Sequence, residues 1–210
     1  MTTKTFPAID NYAYMQDVSW GFYDAVLREV GDRPIRVTYD RGRIEIMSPL
    51  PKHEKASQLL NSMVFVLAEE RDIPISSYGS TTFRRQGTDR GLEPDKCFYV
   101  QNVDRVDQTD KLDLDVVPPP DLAIEIDVTH RSIDRLPIYA TLGVPELWRH
   151  DGSALAALSL GDAGQYHPVE FSVAFPFLRV AELNRFLAMW PGANDSTIMK
   201  AFRAWVRTIG

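Results

Sequence analysis

The run Leu122-Ala-Ile-Glu-Ile-Asp-Val128 sets two carboxylates among apolar, β-prone neighbours. A buried charged carboxylate costs free energy unless a cation pairs with it or a metal binds it. Glu125 and Asp127 therefore each need a partner, in the commonest case an arginine or lysine. Asp95 opens a second possibility, because it starts another short β-prone stretch directly after Pro94. Two acids on neighbouring strands can converge on a hard cation. Mg²⁺ takes one or two carboxylates, keeps several waters, and is used in that form to activate water against phosphate. The lone cysteine, Cys97, excludes a Cys-rich zinc site or an internal disulfide framework, so any metal must use oxygen or histidine ligands. His130, His150 and His167 stand in loop-like contexts without metal-ligand spacing.

The elements that must position these acids are legible from periodicity. Asp17 to Glu29 places Val18, Phe22, Ala25 and Val26 at helical spacing, with Asp17 or Ser19 as N-cap. Ile35 to Tyr39 and Arg43 to Met47 alternate apolar and polar residues around a short turn at Asp40-Arg-Gly42, which reads as a hairpin. Glu45 then points opposite to Ile44 and Ile46. A long amphipathic helix is expected from about His53 to Arg71, with His53 on its first turn near the core-facing stripe. Strands are expected over Ser80 to Arg85, Pro94 to Val100 and Leu122 to Val128, the last with Ile124, Ile126 and Val128 on one face and Glu125 and Asp127 on the other. A short helix over Asp134 to Leu142 fits Pro137 in its first turn and Gly143 at its C-terminal cap. A strand over Val144 to Arg149 follows it. Beyond that come one or two strands within Ala154 to Phe171 and helices near Val180 to Met189 and Ser196 to Thr208. These elements predict an α/β (α+β) three-layer core, one mixed central sheet flanked by helices, in a single domain over 1–210. Its core spans about 20–152, and C-terminal strands and helices occupy 153–210.

Composition bounds the function class. A formal charge of -6 argues against a protein that coats nucleic acid by bulk electrostatics, although phosphate contacts can come from a local patch such as Arg84, Arg85 and Arg90. No apolar run approaches the length of a signal peptide or a membrane span, so a soluble, cytoplasmic protein is expected.

Taken in order, Gly42-x-Ile-Glu-Ile-Met-Ser-Pro49, His53 opening a helix, Glu93-Pro-Asp95, Pro120-Asp-Leu-Ala-Ile-Glu-Ile126 and Tyr139-x-x-x-Gly-Val-x-Glu-x-Trp148 resemble the Uma-two family of restriction-endonuclease-like proteins. The resemblance covers roughly Trp20 to Gly152 and implies the PD-(D/E)xK nuclease superfamily, with a restriction-endonuclease-like fold. It makes Asp95 and Glu125 the metal-holding acids, with the carbonyl of Ile126 a further ligand and Mg²⁺ or Mn²⁺ the cation. Glu45 matches the acid upstream of the helix, which completes the metal shell or positions a water; a solvated or Arg-paired strand acid is the alternative. His53 matches the helix-start histidine, which orients a carboxylate or contacts phosphate; a helix-cap or buried hydrogen-bonding role is the alternative. Asp127 stands where a lysine completes the superfamily motif, and anchoring on Tyr139 puts the family's alternative lysine position at Arg135. Arginine keeps the charge but cannot shed a proton as lysine does. Lys96, next to Asp95 on a strand, should face the other way.

The resemblance thus implies a metal-dependent endonuclease that hydrolyses DNA through a metal-activated water, acting as a homodimer. Two other readings stand beside it: a catalytically weak nuclease-fold protein that binds nucleic acid or a protein partner, and a structural protein whose acids form ion pairs. Phe177, Phe186, Trp190, Phe202 and Trp205 recur at packed-helix spacings and suit a core or a dimer surface.

Overall fold

The computed structural model describes residues 12–49, 51–106, 112–127 and 132–209, so Val128 and His130 fall outside it. Helix α1 (Trp20–Val30) starts at Ser19, whose hydroxyl accepts from the Phe22 amide at 3.2 Å. Of the two candidate caps, Ser19 is the one used. The expected hairpin forms as β2 (Arg36–Asp40) and β3 (Arg43–Met47), paired from Arg36↔Met47 to Asp40↔Arg43. Arg41 and Gly42 make its two-residue turn with φ of 48° and 83°, the left-handed pair whose twist suits a tight hairpin.

Where one central sheet was expected, the described residues form two. An antiparallel sheet has the order β1-β3-β2-β6-β5, adding β1 (Tyr12–Met15), β5 (Phe83–Arg85) and β6 (Arg90–Leu92) to the hairpin. A six-stranded mixed sheet runs β11-β10-β9-β8-β7-β4. Its members are β4 (Ser76–Gly79), β7 (Lys96–Tyr99), β8 (Leu122–Ile126), β9 (Glu146–His150), β10 (Leu155–Leu160) and β11 (Tyr166–Val169). Of the stretch expected as a strand over Ser80 to Arg85, β5 forms and joins the antiparallel sheet, while β4, just before that stretch, joins the mixed sheet with a register shift between Ser77 and Gly79. Strands β8 and β9 are parallel and are connected through α3 (Leu136–Leu142), with Pro137 in its first turn and Gly143 closing it at φ 83°.

Apolar faces fix the layers. Val37, Tyr39 and Ile44 face α1 and pack with Tyr23. Residues two apart share a strand face, so Arg36, Thr38 and Asp40, with Glu45 paired to Thr38, lie on the other side. Gly91 on β6 lets Tyr23 close over the sheet, because a Cβ there would meet its buried hydroxyl and ring. Helices α2 (Pro51–Glu70), α4 (Leu183–Leu187) and α5 (Asp195–Val206) pack in the cluster on the face of the mixed sheet carrying Phe98, Ile124, Ile126 and Trp148. The opposite face meets α3 through Ala123, Leu147, Ile138 and Tyr139, with Phe83 and Leu92 of the antiparallel sheet in the same cluster. Helices thus flank a mixed sheet, and Glu45 and Glu125 both look into the space beside α3.

Of the C-terminal aromatic residues, Phe186 and Phe202 are buried, and Phe177 and Trp205 pack against the same core, so their apolar surface serves this chain. Trp190 remains 40% exposed. No helix among the described residues is long and apolar enough to cross a membrane.

Candidate active site

Glu45 on β3, Asp95 just before β7 and Glu125 on β8 are each buried, at 1%, 1% and 4% exposure. The backbone explains Asp95. Its amide donates to the Ile124 carbonyl at 3.1 Å, and its Oδ2 accepts from the Ile126 amide at 2.7 Å, so the carboxylate caps the edge of β8. In a strand, a residue's N–H and C=O point to the same edge. The Ile126 carbonyl is thereby aimed towards Asp95. His53 stands in the first turn of α2, 2% exposed, with Nε2 3.2 Å from Asp95 Oδ2. Neither of its ring nitrogens makes a hydrogen bond of good geometry.

Glu125 is gripped on both oxygens by α3. Arg135 Nη1 donates to Oε2 at 2.6 Å, and the Tyr139 hydroxyl donates to Oε1. Arg135 directly precedes the helix and Tyr139 follows one turn later, which is why one short element supplies both. The second guanidinium arm, Nη2, donates to the Glu93 carbonyl at 2.5 Å. Burial alone would lower the Arg135 pKa; Glu125, with Tyr139, Asp95 and Glu45 behind it, outweighs that effect and raises it. Burial first, then Glu125, pushes the Tyr139 hydroxyl well above its ordinary range. Arg135 is therefore a permanent cation in the field of all three acids.

Glu45 clasps the chain leading to α3. Its Oε2 accepts from the amides of Ser132 at 2.8 Å and Ile133 at 3.2 Å, and from the Tyr12 hydroxyl at 3.3 Å. Its Oε1 is buried and has no hydrogen-bond donor among the described residues.

The expected site residues Glu45, His53, Asp95, Glu125, Ile126 and Arg135 thus converge. Other candidates do not. Asp127 pairs with Arg149 at 2.6 Å, the ordinary ion-pair explanation for a strand acid. Arg84 pairs with Asp24, and Arg85 donates to the Leu114 carbonyl at 2.8 Å beside Asp115. Arg90 is buried, bonded to Asp40 at 2.8 Å and to the Pro137 carbonyl at 2.9 Å, so all three arginines are tied to groups of this chain.

Sequence reasoning missed Arg36, Glu93 and Tyr12, and used Tyr139 only as a motif anchor. Arg36 lies 3.6 Å from Glu93 Oε2 and 3.9 Å from Asp95 Oδ1. Glu93 is a fourth buried acid; burial raises its pKa, against Thr82, Arg36 and Arg135. The available signal was the alternation of β2, which puts Arg36 on the face of Thr38, the partner of Glu45.

The donor set suits a hard divalent cation. Two carboxylates, a carbonyl and water make a Mg²⁺ shell, and the donorless Glu45 Oε1 is a buried acceptor in want of a partner. Among the described residues no group of three His, Cys, Asp or Glu side chains converges on a metal-sized site.

A family model described as "Putative restriction endonuclease", Uma2, matches residues 23–191. The chain belongs to the Uma2 family. The match takes in the site residues from Arg36 to Tyr139 and stops short of α5. In three dimensions this Uma2 chain is similar to the crystal structure of a putative nuclease belonging to DUF820 from Anabaena variabilis. The TM-score is 0.52 and the identity 14%, with 87% of this chain and 97% of that one covered. At that identity the likeness establishes a shared nuclease-like fold. No curated protein matches the sequence.

Proposed function

We propose that the protein is a metal-dependent endonuclease that hydrolyses DNA phosphodiester bonds at the centre formed by Asp95, Glu125 and Glu45. The carrying observation is that Glu45, Asp95 and Glu125, from separate parts of the chain, are buried together in the field of the Arg135 guanidinium, with Arg36 3.9 Å from Asp95. Burying like charges together is costly, several kcal/mol for each ion, and a divalent cation is the ordinary compensation.

On this reading Asp95, Glu125 and the Ile126 carbonyl hold Mg²⁺ or Mn²⁺. When bound, such a cation acts as a Lewis acid and lowers the pKa of water, making a nucleophile available near neutral pH. The chain's own residues do the rest. The Ile126 amide, with His53 alongside, orients Asp95; Arg135 and Tyr139 hold Glu125 in one rotamer; Glu45 Oε1 accepts a hydrogen bond from a water and so aims it. Two copies in a two-fold dimer would present two such centres to opposite strands of a duplex.

The test is conversion of supercoiled plasmid to open-circular or linear DNA in Mg²⁺ and in Mn²⁺. Wild type is expected to cut, and Asp95→Asn and Glu125→Gln to fail. A wild type that leaves plasmid and single-stranded DNA intact in both metals contradicts the reading. One observation favours a second reading, a nuclease fold that binds nucleic acid and cleaves weakly: both arms of Arg135 are committed to protein acceptors. Cutting that appears only in Arg135→Lys would establish that alternative.

A further inference from the structure

Phosphoryl transfer needs a cation for the charge that develops on the phosphate, and among the described residues the centre contains two guanidiniums. They differ in what they are already doing. Arg135 gives one arm to Glu125 and the other to the Glu93 carbonyl, at 2.6 and 2.5 Å, and is 6% exposed. A guanidinium so bonded is a tether. Among the described residues Arg36 makes no side-chain hydrogen bond: its approaches to Glu93 and Asp95, 3.6 and 3.9 Å, are close enough for charge attraction and too long for hydrogen bonds. Its Nε is buried without an acceptor, and its side chain is 12% exposed, twice the figure for Arg135. A guanidinium carries five donors in a fork that matches phosphate oxygens.

We infer that Arg36, and not Arg135, is the side chain that contacts the phosphate of bound nucleic acid, an inference that rests on the nuclease reading. Arg36 stands on the Oδ1 side of Asp95, opposite the oxygen held by Ile126 and His53. A phosphate at Asp95 therefore meets an uncommitted fork. Arg36 makes or breaks no covalent bond; it offsets negative charge, while Arg135 keeps Glu125 in position.

The experiment is equilibrium binding of a fluorescein-labelled DNA oligonucleotide, followed by anisotropy across a salt series with Ca²⁺ as the probe cation, for Arg36→Gln, Arg36→Met, Arg36→Lys and Arg135→Gln. Losing one phosphate contact weakens binding across sequences and makes the dependence of log K on log salt shallower by about one. Arg36→Gln and Arg36→Met are expected to show that shallower slope, Arg36→Lys to keep the wild-type slope, and Arg135→Gln to keep it despite a lower melting temperature. Wild-type slopes in both neutral Arg36 variants, with the loss in Arg135→Gln, would overturn the inference alone. Loss of folding in both neutral variants would also overturn it, because a side chain without hydrogen bonds would then be holding the structure. No DNA binding by wild type would overturn the nuclease reading and this inference with it, and is recognised by the failure of the parent protein.

Discussion

Removing Arg135 should cost more stability than any other single change at the centre. Arg135→Met keeps the apolar stem and deletes the guanidinium, leaving Glu125, 4% exposed, without its 2.6 Å partner. Breaking one side of a buried ion pair costs about 3–5 kcal/mol, because the remaining charge is uncompensated. The Glu93 carbonyl also loses its donor, a net loss of about 1 kcal/mol. The surviving Tyr139 hydroxyl bond offsets part of this. A total near 3–5 kcal/mol, at about 2–4 °C per kcal/mol for a chain of this size, lowers Tm by on the order of 6–20 °C. The assay is urea unfolding in chelator of wild type, Arg135→Met, Glu125→Gln and the double variant. Glu125→Gln removes the charge yet keeps an acceptor for Tyr139, so the double variant should recover much of the loss, with a coupling of roughly 1–3 kcal/mol. A single variant within about 1 kcal/mol of wild type, with no coupling, would refute the buried pair.

Other consequences are independent of the centre. Burial raises the Glu146 pKa above 4.5, against hydrogen bonds from Ala174, Trp148 and Ser172. Its stabilising share is then fully present below the unfolded value and lost as pH rises through the folded one. Glu146→Gln should therefore gain on wild type as pH is raised from about 4 to about 7 in urea unfolding; a constant difference would contradict it. Gly91→Ala drives a Cβ into the buried Tyr23 ring and should lower stability by about 1–3 kcal/mol by calorimetry, and a wild-type Tm would contradict the packing. Light scattering should return twice the 23.8 kDa chain mass at micromolar concentration, whereas a monomer would remove the proposed dimer.

Period-two alternation was enough to aim Glu45 and Glu125, because in β3 and β8 every second residue is apolar and packs on a helix. Helix α2 was readable for the same reason at period 3.6. What escaped was set by contacts distant along the chain. The division into two sheets depends on β2 choosing β6 over β7, a pairing of strands fifty residues apart. Arg36 gains meaning only from Glu93 and Asp95, residues that no local pattern brings to it. Asp127 and Arg149 became an ion pair because the parallel register of β8 and β9 set Arg149 beside Glu125 and thus within reach of Asp127. The motif picked out Arg135, whose guanidinium lies against Glu125. Its commitment to Glu93 was invisible, since a backbone carbonyl has no sequence signature.

The central claim is that Asp95 and Glu125 hold a divalent cation, and isothermal titration of Mn²⁺ into chelator-stripped protein tests it most directly. Wild type should bind near one equivalent per chain, and binding to the native state should raise Tm by mass action. Asp95→Ala and Glu125→Ala should abolish both the heat and the rise in Tm. Absence of binding to wild type, or undiminished binding in both variants, would contradict the account.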